Sequence, residues 1–244
     1  MSTQKINFVS PDEAVRLIES GDHVYIQGST SIPEVLCEAL ARRGNELKDV
    51  TLYSAFAVAK GPAPYCKPEF KDTFLVNSFF VSNSVRKWIA EGYGVTTPRF
   101  LGEVPELFRD GTCRVDVALI NCSEPDEEGY VSFGISADLA TSAVECADRV
   151  IAQINKYMPY SYGDARIHVS QLAAAVRADE PLVEVPTAVP TEKEIRIGNF
   201  IAEHIPDGAT LQIGVGGIPN AVIRALGNHK HLGLHPEAMT AGVV

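Results

Sequence analysis

A glycine-rich turn between an apolar run and a helix-like segment is the part of this 244-residue sequence best suited to chemistry. Residues 210–213 predict a buried strand. The turn that follows comprises Gly214, Val215, Gly216, Gly217 and Ile218. Pro219 suits the first turn of a helix, because that position needs no N–H group. Such a helix start binds an anion or stabilises a developing oxyanion. An ordinary βα turn without a chemical role is the alternative.

Composition excludes several classes of function. The formal net charge of −10 argues against general nucleic-acid binding. No apolar stretch is long enough to span a bilayer, and residues 1–15 lack the apolar core of a signal peptide. We therefore expect a cytoplasmic protein with no membrane partner. The five cysteines are odd in number and show no CxxC spacing, which predicts reduced thiols and no zinc site.

Strand-like and helix-like segments alternate along the chain, which favours an α/β fold with a mostly parallel sheet. The run VDVALINC at 115–122 is typical of a parallel strand buried on both faces. Further strands are predicted at 23–27, 50–54, 74–80 and 149–154. Helices are predicted at 34–43, 84–91, 104–110, 138–147 and 172–178, and loop at 92–94 and 96–98. Ser10 and Thr191 each begin a capping-box signature, so a helix is expected after each of them.

The chain repeats itself at an offset of 186 residues. Five of the thirteen positions from 28 to 40 are identical to their counterparts, and both copies follow a capped helix. The identical pairs are Gly28 with Gly214, Ile32 with Ile218, Pro33 with Pro219, Ala39 with Ala225 and Leu40 with Leu226. A helix–strand–loop–helix unit therefore occurs twice, which indicates two related α/β lobes.

The proline-spaced stretch 180–190 predicts the boundary between the lobes, which we place at 1–185 and 186–244. The second lobe would then have only about 60 residues, too few to cover its own sheet. We accordingly expect a completing C-terminal segment or chain, or else a fragment of a longer protein.

Four long strings resemble the acetyl-CoA hydrolase/transferase family, and most closely its butyrate-type and 4-hydroxybutyrate CoA-transferases. They are VDVALINCSEPDEEGYVSFG (115–134), ADRVIAQINKYMPYSYGDARIHVS (147–170), LQIGVGGIPNAV (211–222) and NHKHLGLHPE (228–237). The resemblance implies two open α/β domains with acyl-CoA bound between them, in a chain longer than this one. It also implies a catalytic glutamate after the glycine loop, where Glu237 stands. Ala238 and Ala241 depart from the family pattern around it.

The same resemblance implies the chemistry. Glu237 would attack an acyl-CoA thioester and become a glutamyl-CoA thioester that a second carboxylate resolves, with the glycine loop binding CoA and the oxyanion. No metal or redox cofactor is expected, and the partners are acyl-CoA, short-chain carboxylates and further copies of the chain. His235 beside the glutamate, and Gly28, Ser29 and Asn83 in the first lobe, are further candidates for the cleft.

Three alternatives remain open. Gly214 and Gly216 begin a dinucleotide-binding pattern, although Pro219 stands where that pattern needs glycine or alanine. The chain could be a non-catalytic subunit or fragment that binds acyl-CoA. Water could replace the acceptor carboxylate, which would make the protein a hydrolase.

Overall fold

The computed structural model describes residues 6–185, 189–239 and 243. The chain forms two compact units, Met1–Val183 and Glu184–Val244. In the described part of the chain, no helix is long and apolar enough to cross a membrane.

The first unit contains a seven-stranded parallel sheet, which confirms the predicted α/β class. Its spatial order is β4-β3-β2-β1-β5-β7-β9, and β6 and β8 form a separate antiparallel pair. The strands are β1 (His23–Ile26), β2 (Val50–Ser54), β3 (Phe74–Ser78), β4 (Gly94–Thr96), β5 (Val117–Cys122), β6 (Tyr130–Ser132), β7 (Arg149–Ile154), β8 (Arg166–His168) and β9 (Ala174–Arg177). All six residues of β5 are buried, as its apolar run predicted.

Helices cover both faces of this sheet. They are α1 (Pro11–Ala14), α2 (Glu34–Arg42), α3 (Asn83–Ala90), α4 (Val104–Arg109) and α5 (Ala140–Cys146). Short 3-10 turns lie at Val15–Leu17, Pro68–Phe70, Leu101–Glu103 and Val169–Gln171. Successive residues of β5 pack on opposite faces of the sheet. Leu119 lies in one hydrophobic cluster, whereas Ala118 and Ile120 lie in the other.

Two sequence predictions in this unit are wrong. The expected helix at 172–178 is instead β9, because pairing with β7 overrides the helix propensity of an alanine-rich segment. The expected loop around Gly94 contains the edge strand β4. A Cβ at Gly94 would lie 2.9 Å from the carbonyl oxygen of Val76, so glycine allows the close pairing there.

The described residues of the second unit form α6 (Glu192–Ala202), β10 (Thr210–Leu211), α7 (Gly217–Ala225) and β11 (Gly233–Leu234). The helix–strand–loop–helix order is as predicted, and Thr191 forms the expected capping box with Glu194. The predicted buried strand at 210–213 is wrong in length and burial. β10 has two residues and pairs, within the described chain, only with β11, so Thr210 and Gln212 are exposed.

Candidate active site

The two segments that carry the predicted chemistry leave the same edge of the β10–β11 pair. The strands are parallel, with Thr210 opposite Gly233, and the N–H of His235 donates to the carbonyl oxygen of Leu211 at 2.9 Å. Parallel strands end at one edge, so the glycine loop after β10 and the segment after β11 start side by side. Glu237 lies two residues beyond His235, and both side chains are exposed.

Gly216 caps the helix α7 in a backbone conformation that only glycine adopts readily. Its φ of 132° and ψ of −177° fall in that region, and its carbonyl oxygen accepts from the N–H of Asn220 at 3.1 Å. Among the described residues no side chain caps this helix, so Gly217 and Ile218 contribute first-turn N–H groups to the loop. Pro219 lies in the first turn, as predicted.

No sequence pattern singled out Glu194 for the glycine loop. A Cβ added to Gly217 would overlap the carboxylate of Glu194, lying 2.5 Å from its Cδ. Oε2 of this carboxylate accepts hydrogen bonds from the N–H and the hydroxyl of Thr191, at 2.7 and 2.8 Å. These two hydrogen bonds lower the pKa of Glu194. An ionised carboxylate therefore lies beside the first turn of α7.

In the first unit, the candidates Gly28 and Ser29 lie in the loop after β1, at the carboxyl edge of the sheet. The N–H of Ser29 donates to the carbonyl oxygen of Phe56 at 2.8 Å, and Val58 donates back to Ser29 at 2.9 Å. Ser29 and Phe56 both have positive φ, at 53° and 38°. The loops after β1 and β2 thus hold one another in strained conformations, which is common near functional sites.

Buried amides anchor these loops, and no sequence motif predicted them. The Gln27 side chain is fully buried and donates to the carbonyl oxygens of Phe133 and Ser136 at 3.2 and 2.7 Å. Its own oxygen accepts from the N–H of Asn121 at 2.7 Å, and Gln153 accepts from Val35 at 3.2 Å. The one sequence feature that could have identified Gln27 and Gln153 is the position of a polar amide at the end of an otherwise apolar strand.

Asp138 is another residue that the sequence did not single out. Its carboxyl accepts from the N–H of Leu139 at 2.6 Å and from the buried Tyr25 hydroxyl at 3.4 Å. Its Oδ2 lies 3.6 Å from where a Cβ of Gly28 would stand. Desolvation of the carboxyl raises the pKa of Asp138, although the residue as a whole still reaches solvent.

A cleft of about 270 Å³ opens beside this edge of the first unit. Its lining includes Gln27, Cys37, Ser54, Ala57, Lys60 and Ser84. The Ser54 hydroxyl is buried without a hydrogen-bond partner in the described chain. Asn83 is exposed as the first residue of α3, next to the lining residue Ser84, and no hydrogen bond in the described chain joins it to the Gly28 loop.

Two further polar side chains, outside these loops, form hydrogen bonds of a structural kind. Asp126 accepts from the N–H groups of Glu128 and Tyr130 at 3.0 and 2.8 Å, as expected for a turn. Nε2 of His229 lies 2.9 Å from the carbonyl oxygen of Ile205. The described residues contain no cluster of His, Cys, Asp and Glu that could hold a metal ion.

All five cysteines are free thiols. Burial raises the pKa of each of them, to about 12 for Cys66, so they are protonated and weakly nucleophilic near neutral pH. Of the two departures from the family pattern, Ala238 lies in the described chain and Ala241 lies outside it.

Comparison with known proteins identifies the family. The chain is 40% identical over 240 residues to 4-hydroxybutyrate coenzyme A transferase of Clostridium kluyveri, which covers 98% of this chain and 56% of the relative. It is 39% identical over 236 residues to succinyl-CoA:acetate/propanoyl-CoA:succinate CoA transferase of Fasciola hepatica, covering 96% of this chain and 48% of the relative. The crystal structure of 4-hydroxybutyrate CoA-transferase from Porphyromonas gingivalis superposes with a TM-score of 0.82 at 38% identity, over 97% of this chain and 55% of that one.

The chain thus spans about half the length of the curated relatives it matches. Residues 3–188 match the acetyl-CoA hydrolase/transferase N-terminal domain. That match covers most of the chain, so the protein belongs to the acetyl-CoA hydrolase/transferase family.

Proposed function

We propose that the protein carrying this chain transfers CoA from a short-chain acyl-CoA to a free carboxylate such as acetate. The observation that carries this proposal is the shared edge of β10 and β11, which supplies both a carboxylate, Glu237, and a glycine loop with uncapped N–H groups. The names of the two curated relatives, both CoA transferases, support the same reaction class.

The repeat supports a close approach of Glu237 to the glycine loop. The offset of 186 pairs Thr210 with Val24, and the neighbours of these two residues across the sheet are Gly233 and Leu52. Glu237 lies four residues after Gly233, and Phe56 lies four residues after Leu52. Glu237 and Phe56 therefore occupy corresponding positions in the two copies. In the first copy Phe56 accepts a hydrogen bond from Ser29, whose counterpart in the glycine loop is Val215.

The reaction proceeds through a covalent glutamyl enzyme. A carboxylate oxygen of Glu237 attacks the thioester carbonyl, and collapse of the tetrahedral intermediate forms a mixed anhydride and expels CoA thiolate. The thiolate then attacks the Glu237 carbonyl, which releases the first carboxylate and leaves a glutamyl-CoA thioester. An acceptor carboxylate reverses these two steps and leaves as a new acyl-CoA.

The glycine loop stabilises the oxyanion of each tetrahedral intermediate. The N–H groups around Gly216 and Gly217 are the proposed donors, and one such donor lowers a barrier by roughly 3–4 kcal/mol. The remaining loop residues, Gly214, Val215 and Ile218, form its backbone contact with CoA. No step transfers electrons, and each thioester or anhydride bond that forms replaces one of similar reactivity. We therefore propose that the protein needs no cofactor besides its CoA substrate.

A completing segment forms part of this proposal. The helix α6 exposes a large apolar surface in the described chain, with Phe200 66% exposed and Ile195 44% exposed. An apolar patch of this kind on a short helix is typical of a face that other protein covers. The greater length of the curated relatives is consistent with such a segment.

Acceptor-dependent kinetics of the full-length protein test the proposal. Transfer through a covalent enzyme predicts parallel double-reciprocal lines when acyl-CoA is varied at several acetate concentrations, because the first carboxylate leaves before the second binds. CoA release without acetate would identify a hydrolase instead. Intersecting lines would contradict the covalent route.

A further inference from the structure

The carboxylate of Glu194 is held in place against the glycine loop by helix packing. One turn along α6, a Cβ at Gly198 would lie 2.7 Å from the carbonyl carbon of Ala221, so the two helices approach as closely as their backbones allow. The same crossing brings Glu194 onto Gly217, and the capping box with Thr191 fixes its other carboxylate oxygen. Two independent constraints therefore set the position of this charge.

This charge changes what the start of α7 can bind. A helix start with uncapped N–H groups ordinarily attracts phosphate or sulfate. The first turn of α7 contains no acidic residue of its own, and its cap is a glycine. The carboxylate of Glu194, held on the neighbouring helix, places a negative charge beside that turn, and the repulsion between like charges rises steeply at short distance.

We propose that Glu194 determines which ligands the glycine loop accepts, by keeping inorganic anions away from the first turn of α7 and leaving its N–H groups to an uncharged carbonyl oxygen. The identity of that oxygen, a thioester, rests on the proposed function. The exclusion of inorganic anions does not depend on the proposed function. The part of CoA that passes Gly217 is then its uncharged pantetheine arm and not a phosphate.

A charge-removing substitution in the full-length protein tests this role. Glu194→Gln keeps the size of the side chain and an oxygen that can accept from Thr191. Glu192→Gln removes the same charge from the same turn of α6, and Glu192 is not among the nearest neighbours of a Cβ at Gly217, so it is the matched control. Inorganic phosphate is the probe, titrated by calorimetry at fixed ionic strength.

We expect phosphate to bind about three- to tenfold more tightly to Glu194→Gln than to the unsubstituted protein, and equally to the control. In phosphate-free buffer, kcat of Glu194→Gln should rise, because the lost charge no longer opposes the developing oxyanion. A purely structural role for Glu194 would lower kcat and leave phosphate binding unchanged. That result, or an equal change in the control, would overturn the proposal.

The titration separates this inference from the proposed function, because it needs no turnover. Tighter phosphate binding to Glu194→Gln in a protein without transferase activity would support the inference and reject the function. If Glu194→Gln does not fold, Gly217→Ala provides the second variant, since its Cβ displaces the carboxylate, and it too should bind phosphate more tightly. Failure of both variants to fold would assign Glu194 to folding and contradict the proposal.

Discussion

The two copies of the repeat share a scaffold and differ in what the scaffold carries. In the first copy, β1, α2 and β2 form a parallel strand–helix–strand unit, and in the second β10, α7 and β11 do the same. At corresponding points after the second strand, the first copy has Phe56 and the second has Glu237. The fold is therefore duplicated, whereas the proposed nucleophile belongs to one copy alone.

The helices of the two copies also start at different points. Glu34 begins α2, and its counterpart by the repeat is Asn220, yet α7 begins three residues earlier at Gly217. The earlier start turns a connecting loop into a first helical turn with uncapped N–H groups. In the first copy the side chain of Gln153 accepts from the N–H of Val35 at the start of α2, so we place the proposed oxyanion site in the second copy.

The largest expected effect is loss of the nucleophile. Glu237→Gln should lower the rate of transfer by about a thousandfold or more, because an amide does not form the anhydride. Phe56→Leu, at the matching point of the other copy, should leave a far larger fraction of the activity. Steady-state rates of both variants measure the contrast, and comparable losses would remove the proposed distinction between the copies.

The repeat-equivalent glycines should respond differently to alanine. A Cβ at Gly28 would overlap the carbonyl oxygen of Ala55, whereas one at Gly214 would meet no atom of the described residues within 4 Å. We expect Gly28→Ala to lower the free energy of unfolding by about 3 kcal/mol, since backbone obstructs the new methyl group. Gly214→Ala should change it by less than about 0.5 kcal/mol. Denaturant titrations would contradict this if the two costs were equal.

The residue before each of these glycines offers a third contrast, since Gln27 corresponds to Ile213. Gln27→Leu should lower the free energy of unfolding by about 2 kcal/mol, because it leaves the N–H of Asn121 and two carbonyl oxygens without their partner. Ile213→Leu is the control and should cost less than about 1 kcal/mol. Thermal unfolding of both variants checks the prediction, which fails if Gln27→Leu is neutral.

A smaller effect is expected at the cap of α7. Gly216→Ala places a methyl group on a backbone with φ of 132°, which costs roughly 1–3 kcal/mol if the loop keeps its conformation. At an exposed loop the backbone can relax, so we expect a stability loss near 1 kcal/mol but a rise in KM for acyl-CoA. An unchanged KM would remove Gly216 from the proposed contact with CoA.

Local patterns in the sequence predicted local structure well. The apolar run of β5, the two capping boxes and the start of α7 after a glycine turn need only neighbouring residues, and all are present. The strand β9 was mistaken for a helix because its partner β7 lies about 20 residues away and decides its conformation. The predicted strand at 210–213 is too long for a related reason: its partner β11 is also distant in sequence and pairs with only two of its residues.

The candidate site shows the same difference between neighbouring residues and residues far apart in the chain. The glycine loop is contiguous in sequence and was predictable, and the resemblance to a family supplied Glu237. The contact between Glu194 and Gly217 and the bonds of Gln27 join residues far apart in the chain, so they became visible only in the fold.

Covalent trapping tests the central claim most directly. The full-length protein is incubated with acyl-CoA, treated with borohydride, digested, and the peptide containing Glu237 is analysed by mass spectrometry. Reduction of a glutamyl-CoA thioester to the alcohol should lower the mass of that peptide by about 14 Da and should depend on acyl-CoA. An unmodified Glu237 peptide from an active enzyme, or the same change on another carboxylate, would contradict the account.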